Sequence, residues 1–294
     1  MSRSARFAAL LWLLASAAQA APDAPPAPDL AFGAYQRGDY VAAMGEAKKR
    51  LSADARDVAA LTLVGRLHLE GAGVRKNIEQ AMQWFRRAAD AGGKEAAYLF
   101  GATTLASASG AEDRALARAY LEKAGAQEHP AALNLLGELA LENNGGAPDF
   151  ETALGYFRRA AAGEDADALY ALGVLYKNGK GVAKDETEAA NWLRRAVERG
   201  HVAAMVELAI MEFNGAGVAR DRAEAVSLFR RAAAKGNAVA QNRLARLFAS
   251  GLGVEKNIPE AVRLNALARE AGLVDESLEA LLKSEAPTSP GAGK

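Results

Sequence analysis

Residues 165–200 read DADALYALGVLYKNGKGVAKDETEAANWLRRAVERG, and the architecture follows from this stretch. Its first half sets Ala168, Leu172, Leu175 and Tyr176 on one stripe, the i, i+4, i+7, i+8 spacing of an amphipathic helix. Asn178-Gly179-Lys180-Gly181-Val182 comes next, with two glycines able to take positive φ and end that helix. Asp185 opens a second helix whose stripe is Ala189, Trp192, Leu193 and Ala196, and Gly200 closes it. The segment predicts a helix, a glycine loop and a helix.

Outward from this unit the pattern recurs every 36 residues, ungapped from Asp57 to Gly272. Six units result: 57–92, 93–128, 129–164, 165–200, 201–236 and 237–272. The columns of Ala168, Ala189 and Ala196 are alanine in every unit. A fourth column reads Gly65, Gly101, Gly137, Gly173, Ala209 and Ala245, and a fifth holds Trp84, Tyr120, Tyr156, Trp192, Leu228 and Leu264. Small residues on both helices let the axes approach closely, and the bulky column, Trp84 and Trp192 above all, is expected to fill the remaining space. The Asp185 column (Asn77, Asp113, Asp149, Asp221 and Asn257 elsewhere) contains strong N-cap residues throughout. Gln80, Glu188, Glu224 and Glu260, three positions later, predict capping boxes. A lone hairpin cannot bury its apolar face, so the units must stack into an all-α solenoid.

The run Ala171-Leu-Gly-Val-Leu-Tyr-Lys-Asn-Gly-Lys-Gly-Val-Ala-Lys-Asp185, followed by Ala189, Trp192, Ala196 and Gly200, resembles the Sel-one-like repeat (SLR), a cousin of the tetratricopeptide repeat. The resemblance covers Asp57 to Gly272. Unit two departs from it at Ser107, Ser109 and Gly110, and unit three at Asn143-Asn144-Gly145-Gly146. Leu30 to Leu51 resembles a shorter tetratricopeptide-like hairpin, expected to cap the amino end over 30–56. Leu273, Val274, Leu278, Leu281 and Leu282 suit a capping helix over 273–284. The resemblance implies a right-handed α-superhelix used for protein–protein interaction, often in exported bacterial proteins and adaptors. Some periplasmic relatives regulate sensor kinases or envelope polysaccharide production by binding.

The flanks add a destination. Arg3 and Arg6 precede an apolar run, Phe7 to Ala18, and Ala18-Gln19-Ala20 fits a small-x-small cleavage site. The run is about 12 residues, short of the roughly 20 needed to span a bilayer. A signal peptide over 1–20 is therefore expected, with secretion across the inner membrane, no membrane insertion after cleavage, and a periplasmic location. Pro22, Pro25, Pro26 and Pro28 mark 21–29 as an extended linker, and Pro287, Ser289, Pro290 and Gly291 mark 285–294 as a disordered tail.

Composition argues against chemistry. The 36 Lys and Arg balance 36 Asp and Glu, which disfavours nucleic-acid binding by bulk charge. With no cysteine, the chain has no disulfide scaffold, thiolate metal site or cysteine nucleophile. Of its three histidines, His129 and His201 share the first slot of a unit, and His68 occupies the slot of Tyr176 and Phe248. Repeat geometry and packing explain all three. The glycine loops lack the spacing of a P-loop or a dinucleotide fingerprint, and no Gly-x-Ser-x-Gly elbow occurs. No catalytic residue, metal or cofactor is expected.

Two surfaces remain. By analogy with tetratricopeptide units, first-helix positions off the packing stripe line the concave wall. They gather Tyr98, Tyr170, Val174, Val206, Ile210 and Phe213 as exposed apolar groups for a peptide or partner helix. Paired arginines recur along the second helices, including Arg158, Arg194, Arg195, Arg230 and Arg231, with Lys123 in the second unit. They form either a docking stripe for an acidic partner or an anionic envelope polymer such as peptidoglycan or acidic exopolysaccharide, or a solvated face.

Overall fold

The computed structural model describes residues 29–285, and every regular element among them is a helix. The expected signal peptide, the linker up to Pro28 and the tail beyond Glu285 lie outside the described residues. The described chain divides into two compact units, 29–87 and 88–285.

In the first unit, α1 (Leu30–Gln36) and α2 (Tyr40–Ala53) form a short hairpin followed by α3 (Val58–Glu70) and the start of α4 (Ile78–Asp90). Ala31, Ala34, Ala43, Ala47, Leu63, Val64 and Leu67 make its core. Arg50 clamps it by pairing with both Asp29 (2.6 Å) and Asp57 (2.8 Å), the residues that cap α1 and α3. Because each carboxylate also accepts backbone N–H bonds, one guanidinium fixes two helix starts at once.

The second unit continues with five hairpins: α5 (Lys94–Ala106) with α6 (Ala111–Gly125), α7 (Pro130–Glu142) with α8 (Phe150–Ala162), α9 (Ala166–Asn178) with α10 (Glu186–Glu198), α11 (Val202–Asn214) with α12 (Arg222–Ala234), and α13 (Ala238–Ser250) with α14 (Ile258–Glu270). A final helix, α15 (Glu276–Glu285), buries Leu278 and Leu282. Each second helix packs on the first helix of the hairpin that follows it, so one apolar core runs from Leu133 to Leu282. The arrangement is an all-α solenoid.

The residue facing the small column differs from expectation. A Cβ added to Gly65, Gly137 or Gly173 would lie 2.5–2.7 Å from Phe85, Phe157 or Leu193. These fillers stand one position after Trp84, Tyr156 and Trp192 of the bulky column. Trp84 and Trp192 are only half-buried, and Arg87 and Arg195 lie over their rings at 4.5 and 4.6 Å. One residue is a rotation of about 100° on a helix, enough to swing the next side chain into the interface and the tryptophan to its rim.

The capping boxes form by half. Asn77, Asp149, Asp185, Asp221 and Asn257 each accept the N–H three residues on. Their own N–H groups donate to His68, Ala140, Tyr176, Glu212 and Phe248 carbonyls in the preceding helix. The reciprocal role expected of Gln80, Glu188, Glu224 and Glu260 thus passes to a backbone bond that closes each loop. Unit two is the exception. Here α6 begins at Ala111, and Asp113 lies inside it, accepting from Ser109 N and Oγ.

Within a regular loop the two glycines do different work. Gly179 (φ 64°) caps α9 in the left-handed region. The second glycine touches the previous hairpin: a Cβ on Gly217 would stand 2.3 Å from the Glu186 carbonyl at the start of α10. Only a glycine lets two backbones come this close.

Candidate partner-binding wall

The first-helix N-cap column reads Asp57, Gly93, His129, Asp165, His201 and Asn237, and its side chains cap their helices at every position except Gly93. His129 Nδ1 accepts from Ala132 N (3.3 Å) and His201 Nδ1 from Ala204 N (3.0 Å). Each therefore carries its proton on Nε2, which faces Glu95 at 2.9 Å and Asp167 at 3.2 Å. Repeat position does explain these histidines, and the Asp and Asn in their column are the sequence signal of a cap.

Two expected wall residues are tied into this capping layer. Tyr98 stacks on His129 with ring centroids 4.5 Å apart, and Tyr170 on His201 at 4.4 Å. Each tyrosine is half-buried and commits one face to the next hairpin, so neither is the freely exposed anchor anticipated. Val206 is 6% exposed and belongs to the core. Val174, Ile210 and Phe213 remain half-buried.

Charge along the wall is uneven. Glu95, Asp165 and Asp167 all act on the Tyr98 phenol, which burial and these carboxylates push up. Glu138 is also pushed up, first by loss of water around its carboxylate and then by Asp167, Glu142 and Asp165. Asp165 rises for the same reasons, burial first and Asp167 second among the raising influences. The amino-terminal part of the wall in this unit is consequently acidic. Further along, Lys177 and Glu207 neutralise each other through an ion pair.

Beyond that pair the wall opens into a cavity of about 370 Å³ between α11, α12, α13 and α15. Ile210 and Phe213 line it with Phe229, Leu247, Leu252 and Leu281, while Asn214, Ser250, Arg243 and Arg246 supply the polar rim. The volume falls within the range of roughly 300–1,000 Å³ typical of ligand sites. The cavity brings Ile210 and Phe213 together, whereas Tyr98, Tyr170, Val174 and Val206 lie outside it. Sequence reading missed Arg243, Leu247, Leu252 and Leu281. Leu252 did carry a signal, being a large apolar residue in a slot filled by Ala72, Lys180 and Ala216 in the other regular loops.

The arginine stripe divides into two rows. Arg159 donates to the Gly125 carbonyl (2.7 Å) and pairs with Glu128 (2.8 Å). Arg195 donates to the Ala161 carbonyl (3.1 Å) and pairs with Glu164 (2.7 Å). Both reach back to the preceding hairpin, and Lys123 likewise reaches Asp90 at 3.0 Å. Arg195 thus staples adjacent hairpins. Arg158 bonds the Tyr176 hydroxyl, Arg194 bonds Asn191, and Arg230 lies 5.6 Å over the Phe248 ring. Arg231 is exposed.

A stack of helical hairpins with one lined wall defines a solenoid scaffold. The Sel1 repeat family model matches residues 58–93, 96–129, 130–165, 166–201, 202–237 and 238–273, and the chain belongs to that family. Among solved structures it is similar to a Sel1 repeat protein from Oxalobacter formigenes, with 28% identity over 82% of this chain and 97% of that one and a TM-score of 0.71. A protective antigen present in uropathogenic Escherichia coli strains, displaying an SLR fold, is 27% identical over 84% of this chain with a TM-score of 0.73. The match spans only 53% of that antigen's length. No curated protein matches the sequence.

Proposed function

We propose that this chain is a non-catalytic, exported scaffold that grips a protein partner along its inner wall, acting in the periplasm as a regulator or adaptor of envelope signalling. The observation that carries this reading is the cavity at Ile210 and Phe213, an apolar recess with a polar rim on the expected binding side. Membership of a repeat family whose stacked hairpins serve as interaction surfaces supports the binding class. The Arg3–Ala20 segment supports export, and the description of the Escherichia coli relative as a protective antigen accords with it. His129 and His201 already serve as helix caps, which supports a structural use of imidazole. The competing reading, an envelope polymer on the arginine stripe, has less support because Arg159 and Arg195 are engaged between hairpins.

A photo-crosslinking residue placed at Val174 or Ile210 in living cells should capture one defined protein from the periplasmic fraction. Absence of any protein adduct, with the chain instead sedimenting on purified peptidoglycan, would overturn the reading in favour of the polymer.

A further inference from the structure

The cavity between α11 and α13 has a chemical bias that narrows what it can hold. Its floor is apolar, and Leu252 and Leu281 keep 46% and 39% exposure at its edge. Solvent exposure of two leucines beside a recess costs free energy that an apolar occupant would recover. The charged residues lining it are Arg243 and Arg246, and no acidic residue lines it. Arg246 is held by Asp275 and Ser277 through Nε and Nη2. Arg243 is exposed and has no carboxylate at ion-pair distance among the described residues. One repeat earlier its slot holds Glu207, which is paired with Lys177.

Resting on the reading of the wall as a protein-binding surface, we propose that this cavity receives a leucine, isoleucine or phenylalanine side chain from an acidic peptide segment of the partner, with Arg243 meeting a carboxylate beside that anchor. The rest of the wall reinforces the choice by exclusion. Glu95, Glu138, Asp165 and Asp167 repel an acidic segment from the amino-terminal half of this unit and leave the arginine-rimmed end as its favourable seat. Attraction at one end and repulsion at the other also fix the direction in which the segment lies.

Selection of a random-peptide display library on the full chain tests this directly. Enriched sequences should place Asp or Glu next to a single large apolar residue. A synthetic peptide of the enriched sequence should bind Arg243→Glu roughly tenfold or more weakly, with helicity unchanged by circular dichroism, and replacing its acidic residues by lysine should restore binding to that variant. Enrichment of basic or uncharged sequences, no enrichment, or indifference to Arg243→Glu would each overturn the proposal. Self-association abolished by Arg243→Glu would assign the cavity to a second copy of the chain and overturn it as well. The two readings fail separately. If crosslinks from Val174 persist while acidic peptides fail, only the anchor chemistry is wrong; if the crosslinks fail too, the protein-binding reading falls with it.

Discussion

Two glycines in the α7–α8 hairpin show how much depends on a single methyl group. A Cβ on Gly137 would stand 2.6 Å from the Phe157 ring, whereas Gly155 in the facing helix has nothing within 4 Å. Gly137→Ala is expected to destabilise by about 1–3 kcal/mol through overpacking, and Gly155→Ala to stabilise by about 0.5–1 kcal/mol through lost unfolded-state entropy. Urea midpoints moving in the same direction for both would refute the assignment. His201 supplies a pH test. Burial pushes its imidazole below the ordinary value near 6.5, against the pull of Asp167 and Asp165. The unfolded chain therefore takes up a proton first as pH falls, so stability is full above pH 6.5 and declines below it. Protonation at Nδ1 also abolishes the cap on Ala204 and sets a positive charge at a helix N-terminus. His201→Asn, which keeps a capping oxygen, should lose less stability than the parent between pH 7 and about 5.5 in thermal melts. The small column was legible because alanine and glycine recur without exception. Which bulky column faces it was not, since Trp192 and Leu193 both lie near the stripe and only backbone rotation separates them.

Among the elements, the loops carry the register. Gly200 and Gly217 both have positive φ, 82° and 68°, but only Gly217 touches the preceding hairpin. Gly200→Ala should cost about 1–2 kcal/mol for left-handed backbone alone. Gly217→Ala adds a clash with the Glu186 carbonyl, and its cost should exceed that of Gly200→Ala by roughly 1–3 kcal/mol. Equal midpoints would show that the loop does not bear on α10. Glu128 (φ 55°) and Glu164 (φ 58°) occupy the column held by Gly92, Gly200, Gly236 and Gly272. Both are ion-paired, to Arg159 and Arg195. Glu164→Gly removes strain and pair together, whereas Arg195→Ala keeps the strain and loses the bond to the Ala161 carbonyl and the Trp192 contact along with the pair, so the thermal midpoint should move less for Glu164→Gly. Helix and loop boundaries were readable from caps and glycines. Unit two was not, because Ser109 and Gly110 allow α6 to begin earlier than the aspartate column suggests. The two-row split of the arginines also lay beyond sequence, since the reach of Arg195 to Ala161 exists only once hairpins are stacked.

At the scale of the whole chain, repetition makes units replaceable. Excision of residues 129–164 joins Glu128 to Asp165 and leaves Arg195 opposite Glu128, the repeat equivalent of its present partner Glu164. The shortened protein should stay helical and melt cooperatively at a lower temperature, as expected when stability sums over neighbouring units. Collapse into an unfolded or aggregated chain would refute that additivity. The solenoid was fully legible in the 36-residue period, and the sequence set Ile210 and Phe213, which line the cavity, on one first helix. The polarity of the wall was not legible: the rise of Glu138 and the gathering of Arg243 with Leu281 depend on contacts between neighbouring hairpins and the final helix that form only on stacking. One loop feature bears on how the molecule comes into being. Each second glycine rests on the start of a helix made earlier, as Gly181 does on Phe150 and Gly253 on Arg222. A nascent chain released amino end first thus finds every landing platform already laid when its next loop emerges, and assembly can keep pace with synthesis in a single direction.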